Sequence, residues 1–176
     1  MNITVVDYDP IWSESFLKEA AQLDDILGND LLKVFHIGST SVPGLKAKPI
    51  IDIMPVVHDI KEVDRFKPEF ERIGYEVMGE FGIPGRRYMR KGGDNRTHQV
   101  HIFQYDNTFD ILRHLTFRDY LSCHPEVCTA YGDLKSRLAL QYPKDIDEYC
   151  IGKDSFVKQV EQDALQWYWK TYAFTE

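Results

Sequence analysis

The sequence predicts an α+β fold, in which a mixed β-sheet is flanked by helices and the last third of the chain is helical. Strand-like segments are confined to the first 107 of the 176 residues, where helical patterns interrupt them. Beyond Asn107 the apolar residues recur every three or four positions, which is the spacing of amphipathic helices. Mixed strands followed by a run of helices, without regular alternation, are typical of α+β and not of doubly wound α/β folds.

The first half of the chain predicts two helices and three strands. A short strand is expected at 3–6, followed by an amphipathic helix that begins at Asp9-Pro10 and ends at Gly28. The segments 31–37 and 50–57 have the near-continuous apolar composition of buried strands. A helical rhythm from 60 to 73 contains Pro68, which should kink the helix or start it afresh.

The second half predicts three more strands and then three helices. The strands are expected at 75–78, 87–90 and 98–105, with Gly92 to Asn95 as a hairpin loop between the last two. The helices are expected at 109–123, from Pro125, and from about Asp154. Because a single core accommodates about 100–200 residues, we expect one domain over 1–176, with its helical part at about 108–176.

Composition and charge exclude several classes of protein. A hydrophobic fraction of 43% is typical of a globular chain, and a net charge of −7 argues against general nucleic-acid binding. No apolar stretch approaches the roughly 20 residues of a membrane span, and the N-terminus has acids where a signal peptide needs a basic region. We therefore expect a cytoplasmic protein without membrane contact. The three cysteines lack metal or redox spacing and should be small buried hydrophobes.

Two neighbouring strands bring together the residues with the clearest chemistry. The strand ending at Ile37 is followed by Gly38, Ser39, Thr40 and Ser41, a turn whose N–H groups and hydroxyls can donate to phosphate oxygens. On the next predicted strand an acid, Asp52, stands among apolar neighbours, where a carboxylate is costly unless it is paired or binds a cation. An ordinary turn or a buried hydrogen-bonding acid would explain either feature alone. Their combination favours a phosphate site with a catalytic or metal-binding Asp52.

The segment His-Ile-Gly-Ser-Thr-Ser-Val-Pro-Gly-Leu-Lys-Ala-Lys-Pro-Ile-Ile-Asp-Ile, starting at His36, resembles the hallmark of the GrpB-like family of bacterial proteins, which is grouped with the nucleotidyltransferase superfamily. The likeness extends over nearly the whole chain. It includes Tyr8 to Trp12, the Arg86-Arg87 pair, 96–101, 115–121, His124-Pro125, Tyr131, Leu134-Lys135, Tyr149 and Lys153. The resemblance implies a nucleotidyltransferase-like mixed sheet, in which the Gly-Ser motif opens a short helix beneath a bound nucleotide.

The resemblance also implies a metal site, from which this chain departs. In the superfamily an Asp-x-Asp pair and a third acid hold two divalent metals that bridge a triphosphate, and Mg²⁺ is the expected cofactor. Here Asp52 has apolar residues, Ile50 and Met54, two positions away on either side, so the second acid is missing. The third strand offers His98 and His101 as candidate ligands. The two should point to opposite faces, whereas many family members have a histidine at the position of Gln99.

Basic residues near these segments are candidate phosphate ligands. Five of them, against one acid, lie between Arg86 and Arg96, and they indicate either a solvated hairpin or the rim of an anion pocket. Lys48 follows the Gly-Ser turn, and Lys135 and Lys153 can close over a ligand from the helical part. The expected phosphate-binding set is Gly38, Ser39, Thr40, Ser41, Lys48, Arg86, Arg87, Lys135 and Lys153, with Asp52 and His101 as catalytic residues and Asp52, His98 and His101 as metal ligands.

Three functions remain open at this stage. The first is a Mg²⁺-dependent nucleotidyltransferase acting on a small acceptor. The second, suggested by the missing acid, is a module that binds a nucleotide or another small phosphorylated ligand without chemistry. The third is a metal-dependent hydrolase that uses Asp52 and the histidines. All three have a small anionic partner, and the sequence leaves the acceptor and the oligomeric state open.

Overall fold

The computed structural model describes residues 2–172, and it has five strands and five α-helices within that range. The strands are β1 (Leu31–Ile37), β2 (Ile51–Val57), β3 (Tyr75–Val77), β4 (Arg86–Lys91) and β5 (His98–Gln104). The helices are α1 (Ile11–Leu27), α2 (Lys67–Arg72), α3 (Thr108–Cys123), α4 (Pro125–Gln141) and α5 (Ile146–Thr171). Short 3₁₀ turns occur at Gly28–Asp30, Ser39–Ser41 and Glu62–Phe66.

The strands form one mixed sheet in the order β1-β2-β5-β4-β3. Only β2 and β5 run parallel, and the other three neighbouring pairs are antiparallel. Helices α1 and α2 bury one face around Leu23, Ile53 and Phe70. On the other face Met54 and Phe103 pack against residues of α3, among them Leu115. The sheet with helices on both faces confirms the predicted α+β architecture.

Asp52 lies on the face that α3 covers. Its chain neighbours Ile51 and Ile53 point into the core beneath α1, and alternation along the strand turns Asp52 to the opposite side. In the sheet Asp52 is paired with Ile37 on β1 and with Gln99 on β5. The end of β1, where the Gly-Ser turn begins, is therefore beside the only acid of β2.

Most of the predicted elements agree with the structure. Strand β1 has the expected bounds, and Gly28 follows the last residue of α1. A new helix, α2, begins at Lys67 with Pro68 in its first turn, in agreement with the predicted restart at the proline. The predicted strand at 3–6 is wrong, because this segment contributes only one bridge, between Val6 and Ala47.

The last helix begins eight residues earlier than predicted. Asp145 caps it by accepting a hydrogen bond from the Glu148 amide at 3.1 Å, a signal that the sequence prediction missed. Gly152 lies inside the helix, although glycine there costs roughly 1 kcal/mol relative to alanine. Leu138 of α4 packs so close to Gly152 that any side chain would overlap it, which explains why glycine is accommodated.

Only one of the three cysteines behaves as predicted. Cys128 is buried, whereas Cys123 and Cys150 are exposed, so their assignment as buried hydrophobes is wrong. None of the helices in residues 2–172 has the length and apolar character needed to cross a membrane.

Candidate functional site

Gly38 and Asp52 are in direct contact at the centre of the site. Gly38 has φ 69° and ψ −171°, a conformation that is essentially restricted to glycine. A Cβ atom at this position would overlap the Asp52 carboxylate and lie 2.9 Å from the Asp52 Cβ atom. The glycine therefore allows the turn after β1 to approach the acid on β2. This contact is the physical link between the two halves of the motif.

Of the three hydroxyl residues in the turn, Ser39 lines the cavity beside Asp52, whereas Thr40 and Ser41 use their hydroxyls within the protein. The Thr40 hydroxyl is buried, donates to the Ile50 carbonyl at 3.3 Å and lies 3.0 Å from Nε2 of His36. The Ser41 hydroxyl donates to the Gly38 carbonyl at 2.6 Å. Thr40 and Ser41, which were expected to bind phosphate, thus use their hydroxyls to hold the turn together.

His36 completes this internal network. Its ring stacks on Phe16 with a centroid distance of 4.8 Å. Burial lowers the pKa of His36 to about 4, although the nearby Asp52 opposes this effect. His36 is therefore a neutral support for Thr40 and not an anion ligand.

Three lysines from three parts of the chain converge on Ser39. Lys135 of α4 donates to the Ser39 hydroxyl at 2.8 Å and is almost completely buried. The ammonium groups of Lys48 and Lys153 lie 5.2 and 5.5 Å from the centre of the Tyr149 ring. Within residues 2–172, none of the three lysines forms an ion pair with a carboxylate. Together they surround a cavity of about 120 Å³ lined by Ser39, Lys48, Ile50, Asp52, Gln99, Lys135, Tyr149 and Lys153.

Burial and repulsion between neighbouring charges lower the pKa values of two of these lysines, Lys135 and Lys48. Burial, helped by the charge of Lys153, lowers the pKa of Lys135 from 10.5 to about 7. Burial and the same Lys153 charge also lower the pKa of Lys48. Asp52 raises both pKa values but only as a minor contribution, so the single carboxylate does not compensate the cationic cavity.

A second cavity, of about 210 Å³, adjoins the first and shares Ser39, Asp52 and Lys153 with it. Phe117, Tyr131 and Val157 provide apolar and aromatic surface there. At its rim Arg113 and Glu161 form an ion pair of 3.1 Å. The two cavities together form a cleft with a cationic end and an aromatic end.

His101 faces Asp52, as its position on β5 predicts. Its Nε2 atom lies 3.6 Å from Oδ1 of Asp52. The other ring nitrogen, Nδ1, lies 3.3 Å from Nη1 of Arg86. Gln99 shares this face of β5 and lines the cationic cavity, in agreement with the alternation expected from the sequence.

His98 and Arg87, two predicted site residues, lie elsewhere. His98 points to the opposite face of the sheet, where its Nε2 atom is 3.9 Å from the buried Glu19. Arg87 forms a two-pronged ion pair with Asp64, at 2.6 and 2.9 Å. The physical reason is the same in both cases, because one step along a strand turns the side chain to the other face.

Most of the rest of the basic hairpin is paired, but Arg96 lines a separate cavity of about 600 Å³ together with Lys48. Arg90 pairs with Glu76, and Lys91 pairs with Glu19 at 2.9 Å. Arg86 is buried and donates to the carbonyls of Glu80 and Phe81 rather than to open space. Of the basic residues expected at the site, Lys48, Lys135 and Lys153 line the cleft.

A divalent metal fits this site only as the companion of a phosphorylated ligand. Mg²⁺ is bound in many enzymes by one or two carboxylates together with substrate phosphates and water. Asp52 supplies one carboxylate, and its side chain is 26% exposed. No group of three or more His, Cys, Asp or Glu side chains in residues 2–172 has the geometry to hold a metal. Asp52 could therefore share a Mg²⁺ ion with ligand phosphates but could not retain it alone.

Two aromatic residues of the cleft were not assigned to the site from the sequence. The ammonium groups of Lys48 and Lys153 both lie over the Tyr149 ring, and that of Lys135 lies 4.3 Å from the centre of the Tyr131 ring. Burial raises the pKa of Tyr149 to about 12 and raises that of Tyr131 as well. A sequence signal existed, since Tyr131 and Tyr149 each precede a site lysine by four residues and so share a helical face with it.

Comparison with known proteins places this geometry in a family. The sequence profile described as GrpB protein matches residues 2–163. YqkA of Bacillus subtilis, a UPF0157 protein, is 42% identical over 165 residues. The match covers 94% of this chain but 48% of YqkA, so the chain spans about half the length of that relative.

Solved structures agree with this result. The crystal structure of the conserved protein GrpB from Enterococcus faecalis superimposes with a TM-score of 0.92 and 56% identity, over 94% of this chain and 99% of the other. The Cid1 poly(U) polymerase bound to Mg 3′-dATP gives a TM-score of 0.54 at 12% identity, over 76% of this chain and 44% of Cid1. At that identity the likeness concerns the fold alone, which is nucleotidyltransferase-like.

Proposed function

The chain belongs to the GrpB family and has a nucleotidyltransferase-like fold, and on this premise we propose that it binds the phosphate groups of a nucleotide beside Ser39. One observation carries the proposal: Lys48, Lys135 and Lys153 converge on a cavity in which Asp52 is the sole carboxylate. An ammonium group removed from water without a partner is costly, and it is retained where a ligand supplies the missing charge.

The charges of the cavity favour a multiply charged anion. Three lysines against one carboxylate leave an excess of positive charge in a partly desolvated space, where Coulomb interactions are several times stronger than in water. A phosphate dianion or a diphosphate compensates this excess, whereas a neutral ligand does not. The Ser39 hydroxyl accepts from Lys135 and can donate its own proton to a phosphate oxygen.

The remainder of the ligand is expected in the adjoining cavity. Its volume of about 210 Å³ and its surface of Phe117, Tyr131 and Val157 suit a flat, partly apolar group such as a nucleobase or a nucleoside. Because both cavities share Ser39 and Lys153, a ligand can occupy them at once. We propose that residues 1–176 form one domain for ligand binding, since the cleft is lined by residues of the sheet part and of the helical C-terminal part of the chain.

Mg²⁺-dependent transfer of the nucleotidyl group is the second candidate function. The position of Asp52 favours it, because the carboxylate lies against Gly38 at the edge of the proposed phosphate site. When bound, Mg²⁺ would neutralise phosphate charge and be held by Asp52 together with the ligand. A metal-dependent hydrolase is less well supported, because His98 lies on the other face of the sheet and leaves only Asp52 and His101 of the three proposed metal ligands.

Isothermal titration calorimetry with ATP, GTP, CTP and UTP tests the proposal, each nucleotide being titrated with Mg²⁺ and again with EDTA. We expect at least one nucleotide to bind, and Lys135→Met to weaken it at least tenfold at pH 6.5, where the native lysine is charged. Lys158→Met is the matched control, since Lys158 is an exposed lysine of α5 paired with Asp154. Failure of all four nucleotides to bind, with or without Mg²⁺, would refute the proposal.

A second measurement separates binding from transfer. Release of pyrophosphate from the bound nucleotide is expected for a transferase, and Asp52→Asn should abolish it while retaining most of the binding measured in EDTA. Binding that is equal with Mg²⁺ and with EDTA, without any release of pyrophosphate in the presence of cell-extract metabolites as acceptors, would instead support the binding module.

A further inference from the structure

Arg86 is a buried cation without an acidic partner. It is only 7% exposed, and none of the residues 2–172 places a carboxylate within ion-pair distance of its guanidinium group. Its hydrogen bonds go to the carbonyl oxygens of Glu80 at 3.2 Å and Phe81 at 2.6 Å. The remaining Nη1 atom lies 3.3 Å from Nδ1 of His101, and the guanidinium group lies 5.0 Å from the centre of the Tyr88 ring.

The contact between Arg86 and His101 determines which ring nitrogen carries the proton. A guanidinium group can only donate hydrogen bonds, so Nδ1 of His101 must accept. In a neutral imidazole with an accepting Nδ1 atom, the proton is on Nε2. We infer that Arg86 is a positioning residue, which holds His101 as an Nε2–H hydrogen-bond donor facing Asp52 and thereby prevents it from acting as a metal ligand.

The opposite arrangement is unfavourable for a simple reason. A metal ion needs the lone pair of Nε2, which would move the proton to Nδ1. Two donors, the Nδ1–H group of His101 and the Nη1–H group of Arg86, would then face each other. Since Arg86 is anchored by two carbonyl groups, it cannot turn away without breaking those bonds. His101 is therefore assigned to a ligand oxygen, and not to a metal as the sequence suggested.

The Nε2–H group of His101 lacks a well-placed acceptor among residues 2–172. The distance of 3.6 Å between Nε2 of His101 and Oδ1 of Asp52 is beyond a good hydrogen bond, so the proton is not fully used within the protein. A hydroxyl or phosphate oxygen of a ligand can accept from it. This inference concerns the protonated nitrogen of His101 and does not depend on which nucleotide, if any, the cleft binds.

Nitrogen NMR of the histidine rings tests the inference directly. In long-range ¹H–¹⁵N spectra of the ¹⁵N-labelled protein at pH 8, the signals of His101 are identified by their loss in His101→Gln. We expect the Nε2–H tautomer in the native protein, and a mixture of tautomers in Arg86→Met, which removes the donor. Arg90→Met is the control, since Arg90 is on the same face of β4 but pairs with Glu76, and it should leave the His101 signals unchanged.

Addition of Zn²⁺ gives an independent readout that can be made on the native protein alone and then compared with Arg86→Met. The ion is expected to leave the His101 ring signals of the native protein unshifted, whereas in Arg86→Met we expect the apparent affinity for Zn²⁺ at His101 to rise at least about tenfold. An Nδ1–H tautomer in the native protein, or a Zn²⁺-induced shift of its His101 Nε2 signal, would overturn the inference. If Arg86→Met does not fold, the two native-protein measurements still decide.

Discussion

Replacing Lys135 by methionine should remove a large part of the rise in stability that the protein shows between pH 7 and pH 10. Lys135 is the most buried of the three cleft lysines, and burial lowers its pKa from 10.5 to about 7. Between these two values the unfolded chain keeps the proton while the folded protein has lost it. The unfolded state therefore binds more protons, and stability must rise with pH across this interval.

The size of the effect follows from the two pKa values. Each pH unit in the interval from about 7 to 10.5 contributes up to about 1.4 kcal/mol, which amounts to roughly 3–4 kcal/mol between pH 7 and pH 10. Below pH 7 both states hold the proton and the burial cost is fully present. Above pH 10 the raised pKa values of Tyr131 and Tyr149 act in the opposite direction, because unfolded tyrosines ionise first.

Urea unfolding at pH 7, 8, 9 and 10, followed by tryptophan fluorescence, measures this difference. The free energy of unfolding of the native protein should rise relative to that of Lys135→Met by roughly 1 kcal/mol per pH unit. Lys158→Met, which alters a lysine that is 68% exposed, should follow the native protein at every pH. If the native protein and Lys135→Met show parallel pH profiles, Lys135 keeps its proton in the folded state and the reasoning is wrong.

Three further predictions follow from the same geometry. Gly38→Ala should cost about 1–3 kcal/mol of stability through backbone strain alone, and it should abolish nucleotide binding because the new methyl group overlaps Asp52. Gly28→Ala is the control, since Gly28 has φ 52° but open space around it and should show strain only. Equal nucleotide binding by the two variants in calorimetry would contradict this prediction. Arg87→Met should leave nucleotide affinity within twofold of native and lower stability by at most about 1 kcal/mol, because its partner Asp64 lies in an exposed ion pair away from the cleft. Mg²⁺ alone should give no heat of binding in calorimetry, and any effect of Mg²⁺ on nucleotide affinity should require Asp52. A tight Mg²⁺ site in the ligand-free protein would disprove the interpretation that Asp52 is the only carboxylate available to the metal.

The sequence pattern predicted secondary structure correctly where the cause is local to the segment. Strand β1 and the restart of the helix at Pro68 were predicted from apolar runs and from the missing proline N–H, both of which are local causes. The early start of α5 was missed because Gly152 resembles a helix stop until Leu138, from another helix, is seen to occupy the space beside it. Propensity was overridden there by tertiary packing.

At the site, too, features with a local cause were predicted, and features that depend on tertiary contacts were not. The pairing of Gly38 and Ser39 with Asp52 was predicted from the motif, and alternation along β5 correctly separated His101 from His98. Arg87 was misplaced because a basic cluster in sequence says nothing about which acids meet each cation after folding. The role of Arg86 could not be predicted either, since it donates to backbone carbonyls, which every residue type has.

By itself, the sequence determined the strand and helix pattern, the Gly-Ser turn beside Asp52 and the absence of a second acid two residues from it. These depend on chain direction, on side-chain alternation and on the conformational freedom of glycine, all of which are properties of neighbouring residues. The sequence already suggested that Lys135 and Lys153 close over a ligand near Ser39, but only the tertiary structure decided that these lysines, 96 and 114 positions beyond Ser39, line one cavity with a single carboxylate among its lining residues. The reason is that charge compensation depends on distance in space, and folding sets those distances independently of separation along the chain.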